Sequence, residues 1–369
     1  TKMKIRSLIT ASAVGALAFA AAFASSPASA EVSFKGKTVT IVVPFKEGGG
    51  SDVLSRLFQP FLARHLPGSP KVIVYNRPGG GATKGSNYFE RKAKPDGLTV
   101  VAVSTSSMTS QALGGGKAKY DIRKWRPVWV VAQDSVFYAR PETGVKGKNL
   151  LDDIKALKKH GIVLGAKNAT SAELRALFTY ELLGFKNVKT VLGLSSGKQR
   201  KSLMRGEINT NYDSAGAFTK KVKKHAKKGK VVPFMTLGIP QPDGSVIRGN
   251  VFPNLPIALD AYRAMHGGKN PTGVVYEAWK NIVTMGVSAS KGMALPKGTP
   301  DDIHEAWSVA MEKVLKDKEF MTKGRKIMGA YKVNLRKDAS ALYKNALDIS
   351  PEAEKWMKDW IFKTFGVKV

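Results

Sequence analysis

Apolar positions along the chain follow two rhythms. Short continuous apolar runs at 39–43, 72–75, 99–103, 128–132, 162–165, 190–192, 208–212 and 231–236 read as strands. Between them apolar residues recur every three or four positions, the spacing of helices that pack by one face. Val53, Leu54, Leu57, Phe58, Phe61 and Leu62 make one such stripe. Ile303, Ala306, Trp307, Ala310, Met311 and Val314 make another. There Thr299 is the predicted N-cap and Pro300 the first helical residue, and Asp301 and Asp302 suit the positive helix end. Strands alternating with helices predict an α/β fold with largely parallel sheets. A length of 369 residues suggests two domains. The stretch 238–271, rich in Gly, Pro and Asn, reads as the loosest region, and 339–365 as one or two amphipathic helices.

The first thirty residues stand apart from this pattern. Lys4 and Arg6 precede an apolar run from Leu8 to Phe23, and Ala28-Ser29-Ala30 precedes Glu31. This is the layout of a secretory signal peptide, with cleavage expected after Ala30. The chain has no cysteine. It therefore takes no strength from disulfides and has no site for a lipoprotein anchor. No later segment is long and apolar enough to span a bilayer. A free periplasmic protein is the expectation.

Formal net charge is +32. Lys2, Lys4 and Arg6 account for three of these charges, and the first thirty residues hold no acid, so the remainder carries +29. Such a field suits nucleic acid, an anion-rich medium or the steering of small anions. The lysines are spread over the whole chain. The one dense run, Lys220 to Lys230, reads as a solvated helix face. Nucleic acid is not expected as a partner.

Two stretches carry candidate chemistry: "VVPFKEGGGSDVLSRLF" from Val42, and "VIVYNRPGGGATKGSNYF" from Val72. Each is a strand, a glycine turn and a helix. A helix N-terminus offers unpaired N–H groups, and glycine lets an anion approach them closely. The first turn is Gly48-Gly49-Gly50, before a helix expected to be capped by Ser51 or Asp52. The second is Gly79-Gly80-Gly81, with its helix starting near Thr83. Neither completes a dinucleotide fingerprint or a phosphate P-loop. "GLSSG", Gly193 to Gly197, matches the nucleophile elbow with Ser195 at its centre. The chain has five histidines: His225, inside the lysine run, would be a poor base for Ser195, and His266, in a loop, is the candidate. Neither a metal site nor a cofactor motif is evident.

The order of these segments resembles the periplasmic receptors of tripartite tricarboxylate transporters, the Bug family. "TIVVPFKEGGGSD", "VYNRPGGGATKGS" and "AKPDGLTVVAVSTSS" carry the likeness. It continues through "KYDIRKWRPVWVVA", "VLGAKNATSAELRALFTYELLG" and "VLGLSSGKQRKSLMRGEINTNYDS", and ends with "FPNLPIAL" and "MALPKGTPDDI". The resemblance implies a two-domain Venus-flytrap binding protein of type II-like form, with mixed, mostly parallel sheets and a ligand cleft between the domains. It implies domain 1 at 31–135, domain 2 at 136–285, and a return to domain 1 at 286–369, after a signal peptide at 1–30. It implies no enzymatic activity and a monomer. It also implies capture of a di-, tri- or aromatic carboxylate and its delivery to a membrane permease.

Carried over by position, the family's cradle implicates Glu47, Gly48, Gly49 and Ser51, then Gly80, Gly81, Ala82 and Thr83. From the second domain it implicates Asn168, Ala169, Thr170 and Asp213, with Ser195 and Ser196 as hydrogen-bond donors. Lys46-Glu47 departs from the family's usual small residues and proline. Two other readings remain: a secreted serine hydrolase using Ser195, and a basic scaffold for polyanions.

Overall fold

In the computed structural model, which describes residues 31–369 except 115, 242–244 and 329–330, the apolar runs form two mixed sheets. The expected signal peptide lies outside the described residues. The strands are β1 (Thr38–Val43), β2 (Lys71–Asn76), β3 (Thr99–Ser104), β4 (Arg126–Val131), β5 (Ser135–Ala139), β6 (Ile162–Gly165), β7 (Val188–Val191), β8 (Thr210–Ser214) and β9 (Val232–Thr236). Two-residue strands β10 (Ile239–Pro240) and β11 (Val246–Ile247) form a hairpin; β12 (Lys291–Leu295) and β13 (Val333–Asn334) follow.

The first sheet has the order β13-β4-β12-β3-β1-β2 and the second β7-β6-β8-β5-β9. β1 pairs in parallel with β2 and β3, and β6 with β7 and β8. Every pairing made by β5 and β12 is antiparallel. These are the strands at which the chain enters the second sheet and returns to the first. The two crossings run side by side, with the Gln133 N–H donating to the Val287 carbonyl at 3.0 Å.

Helices cover both faces of β1 and β3, which is why those strands are almost uniformly apolar. The predicted stripe of the helix Gly50–His65 is buried throughout. Its Phe58 stacks on Trp129 with ring centroids 4.5 Å apart. In the second lobe Phe137 is ringed by Tyr180, Tyr212 and Phe234. The C-terminal helix Pro351–Phe365 packs Trp356 and Trp360 against Phe178 of the helix Leu174–Leu182.

Several local expectations shift. Gly49, not Ser51 or Asp52, occupies the N-cap of the first helix. The Asp52 carboxylate instead accepts the Gly48 N–H at 2.8 Å. The helix Asp301–Lys316 starts after Pro300, and Thr299 donates its hydroxyl to the Pro296 carbonyl instead of capping. The "loose" stretch contains the helix Ala258–Met265. The lysine-rich run is helical up to Lys227, with Phe218 and Val222 buried and Lys223, Lys224 and Lys227 exposed.

Asp134 lies in the outgoing crossing and is buried. Its Oδ1 accepts the N–H groups of Ser135 and Gly238 at 2.6 and 3.0 Å, while Oδ2 has no partner. Burial pushes its carboxyl up to about 6 despite those bonds. A folded pKa above the unfolded one means the native state holds the proton more tightly. Stability is therefore highest below the ordinary carboxylate range and declines as pH rises through about 6. Asp134→Asn is expected to raise the melting temperature at pH 7.5 by about 2–4 °C, on the order of 1 kcal/mol, and to remove most of the gain at pH 4. Calorimetry at the two pH values checks this.

Candidate functional site: a charged cleft between the sheet ends

Both lobes turn the carboxyl ends of their parallel strands toward one cleft, the usual place for a ligand in open α/β sheets. Gly49, Gly50 and Ser51 follow β1, and Gly79 to Ala82 follow β2. Ser104 ends β3, Lys167 follows β6, Gly193 and Ser195 follow β7, and Asp213 and Ser214 end β8. All line a cavity of about 210 Å³. That volume suits a small molecule more than a nucleotide.

The second glycine loop adopts a conformation that only glycine tolerates easily. Gly79, Gly80 and Gly81 have φ of 139°, 58° and 69°. Ala82 follows at φ 120° while fully buried in the cavity wall. Such strain in a non-glycine residue persists only where surrounding structure enforces it.

Contacts join the lobes across the cleft. Arg200, in the helix Ser196–Arg205, donates Nη2 to the Gly48 carbonyl at 2.8 Å. The Ala172 N–H donates to Ser106 Oγ at 3.0 Å. Asn168 lies so close to Gly81 that a Cβ there would stand 2.6 Å from its Nδ2.

Six charged side chains gather around the cavity: Glu173, Arg175, Asp213 and Lys291 are buried, and Lys167 and Arg200 partly so. Lys167 pairs with Glu173, which also accepts from Gln199 at 3.0 Å and from Ser171. Burial works against the Glu173 charge, but Lys167 and the hydrogen bonds overcome it and hold the carboxyl below its usual range. Arg200 pairs with Asp213 at 2.7 Å, and the Tyr138 hydroxyl donates to the same carboxylate at 2.7 Å. Here burial prevails and the Asp213 carboxyl is raised.

Arg175 and Lys291 have no acid partner among the described residues. Arg175 donates to the carbonyls of Ala172 and Gly286 and lies 5.1 Å from the centre of the Tyr212 ring. The Lys291 side chain makes neither a hydrogen bond nor an ion pair among the described residues, although the residue is only 8% exposed. Burial, then Arg175 and Lys167, push its ammonium down to about 7. Two cationic groups of this set, Arg175 and Lys291, thus lack an acid partner among the described residues.

Of the residues named from sequence, Glu47, Gly49, Ser51, Gly80, Gly81, Ala82, Ser195, Ser196 and Asp213 line the cavity. Gly48 and Thr83 sit just behind it, with both backbone polar groups of Gly48 already engaged. Asn168, Ala169 and Thr170 form the turn after β6. The Asn168 Oδ1 accepts the Thr170 N–H at 3.1 Å and holds that turn against Gly81. Ser195 has φ −63° and ψ 157°, ordinary extended backbone without the strain of a nucleophile elbow. No histidine lines the cavity among the described residues.

Sequence reading missed Lys291, Arg175, Glu173 and Ser104. Arg175 did leave a signal: it sits among the apolar residues at the start of the helix "LRALFTYEL". Lys291 opens a five-residue strand and has no periodic context that marks it.

No protein-family model matches the chain. A curated Agrobacterium vitis protein, described as a UPF0065 protein in the TAR-I ttuE-ttuC' intergenic region, is 24% identical over 293 residues, covering 79% of this chain and 75% of that protein. The periplasmic binding protein BugD superposes with a TM-score of 0.64 at 21% identity, over 90% of this chain and 98% of its own. MatC from Rhodopseudomonas palustris with bound malate gives 0.62 at 18% identity, over 88% and 98%. Rpa4515 from R. palustris with adipate gives 0.67 at 18%, over 90% and 98%. The chain has the two-domain fold of periplasmic solute-binding proteins, and its structural neighbours include BugD and a TctC solute binding protein from Polaromonas.

Proposed function

We propose that this protein is a periplasmic receptor of the Bug type that captures a small organic acid and delivers it to a tripartite tricarboxylate-type permease. The observation that carries this reading is the cavity's charge: two buried cations, Arg175 and Lys291, lack an acid partner among the described residues, whereas Lys167 and Arg200 are paired with Glu173 and Asp213. Burying a cation without its counter-charge is costly, so an anionic ligand completes the site. The glycine loops add N–H groups at helix ends, which satisfy a carboxylate well. Malate and adipate bound to two proteins of the same fold support the same chemistry. The protein's large positive charge raises the encounter rate for such anions.

In this reading Ser195 and Ser196 are hydroxyl donors in the wall, and the chain is not an enzyme. Ester hydrolysis that disappears in Ser195→Ala would count against it. Small molecules released by denaturing the protein purified from its native periplasm are expected to include one stoichiometric organic acid, identified by mass spectrometry. A carboxylate panel is then expected to raise the melting temperature of the emptied protein, because a ligand that binds only the folded state stabilises it. A flat response across malate, succinate, adipate and citrate would end the proposal.

A further inference from the structure

We infer that Lys291 is the specificity-determining residue of the cleft: with Ser104 and the helix that Ser104 opens, it forms an anion subsite apart from the glycine loops and takes the ligand's second anionic group. This rests on the organic-acid reading above and narrows it to dianions.

Lys291 begins β12 and stands directly opposite Ser104 across the antiparallel β3–β12 pair. Opposed residues of such a pair present their side chains to one face. Both line the cavity. Ser104 is 2% exposed, and its Oγ has no hydrogen-bond partner. It is the N-cap residue of the helix Thr105–Leu113, yet its side chain makes no capping bond. The first-turn N–H groups of that helix have no partner within it and carry partial positive charge. On its other side the Lys291 stem approaches the start of the helix Gly50–His65, where a Cβ on Gly50 would lie 3.4 Å from Cε. An unpaired ammonium thus lies beside two positive helix ends and an orphan hydroxyl.

The charged groups that act on it most strongly are Arg175, Lys167, Glu173 and Asp213, and Lys46 and Glu47 line the same cavity. The first two repel it. Glu173 and Asp213 are already engaged by Lys167 and Arg200. Neither of these acids is free to balance Lys291. A monoanion held by the glycine loops would leave it unbalanced, whereas a dianion neutralises both surplus charges. Burial and the neighbouring cations push Lys291 down to about 7, so an arriving anion also draws a proton onto it near neutral pH.

The test is calorimetric titration of the whole protein at pH 7, in two buffers of different ionisation enthalpy. Succinate is compared with butyrate, and adipate with hexanoate. Wild type is expected to prefer the diacid of the pair that fits by at least tenfold, with uptake of a fraction of a proton. Lys291→Met is expected to lose most of that preference and all of the proton uptake, with a smaller loss for the monoacid than for the diacid. Its ligand-free melting temperature should match or exceed wild type, since it removes a buried unpaired ammonium. Ser104→Ala should reduce the preference by a smaller factor with its fold intact. If Lys291→Met keeps both the preference and the proton uptake, the subsite is wrong while the organic-acid reading stands. If wild type binds none of the four acids, the subsite falls, and the organic-acid reading falls with it only if malate and citrate also fail to bind.

Discussion

Arg200→Met is expected to lower stability at neutral pH by about 3–5 kcal/mol and to weaken ligand binding at least a hundredfold. Removing one partner of a buried ion pair leaves the other charge without compensation. Here the stranded group is Asp213, 6% exposed, with only the Tyr138 hydroxyl left on its carboxylate. Arg200 also reaches from the second lobe to the Gly48 carbonyl, so its loss removes a bond that exists only when the lobes meet. The pH dependence identifies the cause. The Asp213 carboxyl is already raised by burial, and without Arg200 it rises further. A raised folded pKa gives stability that is present at low pH and lost as pH increases through that value. The deficit of Arg200→Met should therefore be small near pH 4 and large near pH 8. The double variant Arg200→Met/Asp213→Asn should recover most of the stability but not the binding. Equal melting temperatures for Arg200→Met and wild type at both pH values would show that the pair is not coupled in this way.

Gly81→Ala should leave the fold standing and weaken binding by roughly 30- to 150-fold. The added Cβ would lie 2.6 Å from Asn168 Nδ2 and 3.0 Å from its Cγ and Oδ1. Asn168 cannot simply swing away, because its Oδ1 accepts the Thr170 N–H and shapes the turn after β6. Overpacking of this kind costs about 2–3 kcal/mol, and it falls on the closed arrangement, in which the two lobes meet. A positive φ at 69° adds about 1 kcal/mol in every state, so a modest drop in melting temperature is expected as well. Titration of the ligand against wild type and Gly81→Ala measures the first effect, and calorimetry without ligand the second. Unchanged affinity would mean that the lobes need not approach at Gly81 for the ligand to be held.

How much of this was legible follows from the range of the interactions. The glycine turns could be read because strand, positive-φ turn and helix are adjacent in sequence, and each piece has a local signal. The stripe from Val53 to Leu62 was legible for the same reason: one helix face carries it, and the helix buries it. Short strands were harder. β5, "SVFYA", and β12, "KGMAL", were not predicted, because five residues buried on both faces show no alternation. β8 was predicted two residues early, which placed Asp213 at a strand end; it lies one residue inside it. The caps at Ser51 or Asp52 and at Thr299 failed because a glycine and a proline took those positions, while the Asp52 and Thr299 side chains found other partners.

The sequence by itself determined the alternation of strands and helices, the two glycine loops and the overall excess of positive charge. These are properties of neighbours along the chain. Only the tertiary structure decided which charges are paired. Glu173 and Asp213 meet Lys167 and Arg200 across turns and strand ends, which leaves Arg175 and Lys291 as the unbalanced cations. Lys291 faces Ser104 only because β12 returns from the second lobe and pairs antiparallel with β3. Charge balance in a buried site depends on distance in space and on exclusion of water, and neither is encoded in the spacing of residues along the chain.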